Sequence, residues 1–150
     1  MLPWHLHPIF VHFSFSLLFV SSLLFIIAAL GRGRGWTEKC LTVARWNFWI
    51  GILMAAFTAV TGLIAYFTVP GVNDVLRMEI NKHLIAAVVT VIVYLTLAFF
   101  LWRSQQKNVA PSNRWTTVLV LGLVLLCLTG YLGGRLVFNH GVGVNIVVVD

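Results

Sequence analysis

Four stretches of this chain are each about as long as a bilayer is thick and carry no acid or base in their central parts: Ile9–Leu30, Trp46–Thr68, His83–Trp102 and Trp115–Phe138. A helix rises about 1.5 Å per residue, so roughly 20 apolar residues cross the ~30 Å of hydrocarbon. Inside lipid every backbone N–H and C=O must be satisfied within the segment, and a helix does this alone. The composition agrees. Only 9% of the 150 residues are charged, against about a quarter in a soluble domain. The expected fold is therefore an all-α membrane protein, with residues 1–150 forming a single transmembrane domain. The short connectors predict an up-down-up-down four-helix bundle.

The charges divide unevenly between the connectors. The first carries Arg32, Arg34, Lys39 and Arg45 against Glu38, and the third carries Arg103, Lys107 and Arg114 with no acid. The second sets Arg77 and Lys82 against Asp74 and Glu79. The positive-inside rule places the first and third connectors in the cytoplasm, with both termini outside. For a bacterial inner membrane, outside means the periplasm. No Lys or Arg precedes the first apolar run, so it reads as a retained helix and not as a cleaved leader. The net charge of +6 resides in these connectors, and it marks topology, not nucleic-acid binding. Trp46, Trp49, Trp102 and Trp115 fall near the cytoplasmic ends of spans, as an interfacial belt would.

Under this topology all five histidines, His5, His7, His12, His83 and His140, lie at the outer face. Pro8 suits the first position of a helix and pushes the preceding residue out of helical geometry. His5 and His7 are then expected in an extended entry segment, with His12 about a turn inside. His83 opens the third span behind Asn81 as N-cap, and His140 follows the fourth. Three helix ends thus carry imidazoles to one depth. A b-type haem needs two axial imidazoles, an apolar slot and cations for its propionates. His12 and His83 are the favoured axial pair, with His7 and His140 as a second pair or alternates. Arg135 is a propionate partner. A copper, zinc or iron site using the same histidines as metal ligands, and a structural role without a cofactor, remain open. His12 and His83 each open a span, the one hint of a two-helix duplication. Cys40 and Cys127 fall at different depths, which argues against a disulfide. Gly130 and Gly134 form a small-xxx-small pair, the usual device for close helix approach in lipid. No nucleophile–base pair, phosphate-binding loop or paired acids appear, so hydrolase and kinase chemistry have no support.

The stretches His7-Pro8-Ile9-Phe10-Val11-His12-Phe13 and Gly130-Tyr131-Leu132-Gly133-Gly134-Arg135-Leu136-Val137-Phe138-Asn139-His140-Gly141-Val142-Gly143-Val144, together with the lone His83, resemble the bacterial membrane proteins of domain of unknown function 2231. The resemblance covers essentially the whole chain. It implies a four-helix inner-membrane protein that works in electron transfer, since relatives are fused to Rieske-type or cytochrome c domains. It points to His7, His12, His83 and His140 as the functional positions. Ser14 stands where that family usually has proline, and Gly31 and Ala65 stand where an acid is common. The function so implied is a haem-b cytochrome that exchanges electrons with a redox protein or a quinone. The alternatives are a non-haem metal or quinone site of a small redox protein or transporter, and a cofactor-free subunit of a larger respiratory complex. Membrane lipid, and in some settings a second copy of the chain, complete the expected partners.

Overall fold

A computed structural model describes residues 5–107 and 112–143. Four helices occupy nearly all of them: α1 (Leu6–Leu30), α2 (Thr37–Thr68), α3 (Asp74–Gln106) and α4 (Asn113–Phe138). Each is long and apolar enough to cross a membrane, and no strand occurs among the described residues. The protein is an all-α membrane bundle.

The helices start earlier than the apolar runs do. Asn73 caps α3 by accepting the Leu76 N–H at 2.9 Å, so the helix begins nine residues before His83. Asn81, expected as the cap, is instead inside α3 and accepts the Tyr66 hydroxyl at 3.0 Å. Helix α1 begins at Leu6, which makes His7 helical and puts Pro8 at the third helical position. Proline is tolerated there because none of the first-turn N–H groups has an acceptor within the helix. The extended entry segment expected for His5 and His7 is therefore corrected: His7 is helical, and His5 at the N-cap already has helical backbone geometry. Ser112 caps α4 by accepting the Trp115 N–H at 3.3 Å.

Short connectors hold α1 against α2 and α3 against α4 as two antiparallel hairpins. The hairpins meet along α1–α4 and, less closely, along α2–α3, which leaves α1 diagonally opposite α3. In the inner half, away from the histidines, Phe25, Phe48, Tyr94, Leu97, Leu119 and Trp115 fill the centre. Trp115 is buried, edge-on to Phe25 at 4.8 Å, and its indole N–H donates to the Leu97 carbonyl at 3.1 Å. It is a core residue and not part of the interfacial belt, whereas Trp46 and Trp102 do face outward. Gly130 admits Phe15 of α1, since a Cβ there would stand 2.9 Å from the Phe15 ring. Gly134 has open space around it.

Candidate functional site

The histidines separate once the helices are built. His7 and His83 are half-buried, on diagonally opposed helices. His12 follows His7 by five residues, which at about 100° per residue turns it roughly 140° away. It is exposed on the outer surface of the bundle, its Nδ1 2.5 Å from the Pro8 carbonyl of its own helix. His140 is exposed beyond the end of α4, and His5 sits at the N-cap of α1. The structure thus half-buries His7 and His83 within the bundle and leaves His12 exposed on its surface, so the expected pairing of His12 with His83 is not seen.

Each of the two inner histidines is held in the same way. His7 Nδ1 lies 3.2 Å from the Thr58 carbonyl, and His83 Nδ1 lies 3.2 Å from the Thr129 carbonyl. A carbonyl can only accept, so Nδ1 carries the proton in both rings. The lone pair is then on Nε2, and neither Nε2 makes a hydrogen bond among the described residues. This is the arrangement by which a second-shell acceptor readies an imidazole to bind a metal.

One helical turn beyond each threonine stands a glycine that makes room for the ring. A Cβ on Gly62 would lie 2.8 Å from His7 Cε1, and one on Gly133 would lie 3.0 Å from His83 Cε1. Seven residues after each histidine a buried hydroxyl returns to the same threonine. Ser14 Oγ accepts from Thr58 Oγ1 at 3.0 Å, and Thr90 Oγ1 pairs with Thr129 Oγ1 at 2.8 Å.

The two hairpins are therefore one unit used twice. The first helices match at an offset of 76 (7 to 83, 14 to 90), and the second helices at 71 (58 to 129, 62 to 133). The match extends inward, where Leu18 packs on Gly51 and Tyr94 packs on Gly122 at the equivalent positions. The signal was present in the chain as His-x6-Ser/Thr twice and Gly-x6-Thr-x3-Gly twice. It is invisible when His12 is aligned with His83. Thr58 and Thr129, which the sequence alone did not single out, belong to these patterns together with Gly62 and Gly133. The two units run in the same direction, so the relation is that of parallel repeats about an axis along the membrane normal.

Around the outer rim Arg135 is half-buried near the end of α4. Glu79 pairs with Lys82 at 2.6 Å and lies within electrostatic reach of Arg135 and His140. No three of His, Cys, Asp and Glu gather to hold a small metal ion among the described residues.

Fold and site together define a four-helix membrane protein with two inward imidazoles on repeated hairpins. The chain belongs to the family described as predicted membrane protein, DUF2231, whose model matches residues 3–146. No curated protein and no solved structure matches it.

Proposed function

We propose that the protein is a b-type cytochrome of the bacterial inner membrane, with its haem between the two hairpins and His7 and His83 as axial ligands. The carrying observation is the duplication itself. Two equivalent units on diagonal helices each ready one Nε2 lone pair, and an iron between them would receive like ligands from opposite sides. The donor count supports the same reading. A small ion needs three or four protein donors, whereas a porphyrin brings four nitrogens and leaves two axial positions for the chain.

The glycines fit this assignment, because Gly62 and Gly133 let each ring lie back against its neighbouring helix. When bound, the haem would supply one-electron transfer. The chain would fix ligand tautomer and orientation and offer Arg135 to a propionate. His12 and His140 are exposed, and in this reading they take no axial role. The charge distribution of the connectors supports a periplasmic position for the histidine end and for both termini. The electron partner would be a periplasmic redox protein or a membrane quinone.

The test is the absorption spectrum of the full-length protein purified in detergent after expression with ample haem precursor. The expected result is a Soret band, sharpened α and β bands on reduction, and a pyridine haemochrome of the b type. A haem-free preparation under those conditions would refute the assignment.

A further inference from the structure

The end of the bundle opposite the histidines carries seven Lys and Arg residues (Arg32, Arg34, Lys39, Arg45, Arg103, Lys107 and Arg114) and one acid, Glu38. Arg45 Nε there is buried with no hydrogen bond among the described residues. Near the C-terminal end of α3 a shallow groove of about 260 Å³ is lined by Phe99, Trp102, Arg103, Gln106 and Lys107. These positions are i, i+3, i+4, i+7 and i+8, which is one face of a helix.

The groove has a graded chemistry along its length. Phe99 and Trp102 are half exposed and in ring contact with one another. The Arg103 guanidinium stands over the Phe99 ring at 5.8 Å. Gln106 and Lys107 then close the groove one turn further toward water. From Phe99 to Lys107 is about 12 Å at 1.5 Å per residue. An apolar floor thus passes over that distance into a donor-rich, cationic mouth at the level where interfacial aromatics sit. None of the lining side chains is an acid. A phospholipid has the complementary grading, with acyl chain below, phosphate above, and negative charge where the groove has Arg103 and Lys107.

We propose that this groove is a binding site for one anionic phospholipid. The phosphate is held by Arg103 and Lys107, and the upper acyl chain lies on Phe99 and Trp102. Basic side chains near a membrane surface contribute about 1 kcal/mol each toward anionic lipid. Removing two of them weakens binding about 25-fold. The site stands apart from the histidines and does not depend on their assignment.

The test uses the full-length protein, stripped of lipid in detergent and titrated with phosphatidylglycerol or phosphatidylcholine, with bound lipid counted by native mass spectrometry. Phosphatidylglycerol should bind in preference to phosphatidylcholine. R103Q/K107Q should lower its affinity about 25-fold, and R103Q alone about fivefold. R34Q/K39Q removes the same charge at the same end outside the groove and should change it less than about threefold. Far-ultraviolet circular dichroism and elution volume establish that each variant is folded, and R103K/K107R, which keeps both charges, should bind as the parent does. Equal losses in the two double variants, no preference between the lipids, or competition by millimolar glycerol phosphate as strong as that by phosphatidylglycerol would each overturn the proposal.

Discussion

The two hairpins agree where they carry histidine and differ where they only pack. In their outer halves the same groups recur at matched positions: an imidazole, a hydroxyl seven residues on, a threonine carbonyl and a glycine. In their inner halves the matched positions are still buried, but their side chains are exchanged for others. Leu18 corresponds to Tyr94, Ser21 to Leu97, Ala44 to Trp115 and Phe48 to Leu119, and all eight are buried. The small pair Ser21 and Ala44 bond through the Ser21 hydroxyl and the Ala44 carbonyl at 3.0 Å. The large pair Leu97 and Trp115 bond through the indole and the Leu97 carbonyl at 3.1 Å. Side-chain volume is thus distributed unequally between the two hairpins while all eight positions stay buried, which close packing allows. The outer half keeps the same groups in both hairpins, as a site shared between them would require.

Three experiments would break or sharpen this comparison. The largest effect belongs to the ligands. His7→Ala and His83→Ala should each abolish the Soret band, while His12→Ala should leave it at parental intensity. A result in which only one of the inner pair matters would show that the hairpins are not equivalent. Next come the glycines. Gly62→Ala and Gly133→Ala drive a methyl into the imidazole edge and should each lower haem affinity about 10- to 100-fold, the range for disturbing a ligand's support. Gly134→Ala meets nothing within 4 Å and is the matched control in the same titration. The smallest effect on the site is expected from the inner half. Trp115→Ala should cost about 3–5 kcal/mol of stability, read by denaturation in mixed micelles, with the position and intensity of the haem bands unchanged. Loss of haem there would mean that inner packing sets the outer geometry.

Much of this molecule was legible before its structure. The spans follow from charge-free runs, since no other backbone survives in lipid, and the gathering of histidines at one end follows from the spans. Which histidines face inward was not legible. That turned on the first helical residue, and Pro8 is compatible with the first position as well as the third. Where the helix begins decides whether His7 has a helical position at all; it does not rotate His12, which lies about 140° from a helical His7. Helix α3 misled similarly, because Asp74, Arg77 and Glu79 break the apolar run in its first two turns. Trp115 read as an anchor by its position, and only the partner helix decides whether such an indole meets lipid or core. The duplication stayed hidden because its marks are single residues spaced seven and four apart, amid side chains that were free to change.

The acceptors that orient His7 and His83 are main-chain carbonyls, and every amino acid supplies one. Substitution at Thr58 or Thr129 removes a hydroxyl and leaves the imidazole's anchor in place. Single-codon change can therefore reach the tautomer only by bending the helix, whereas it can reach the ring's seat directly through Gly62 or Gly133. Sequence drift in such a protein would be recorded at the threonines long before it was recorded at the glycines.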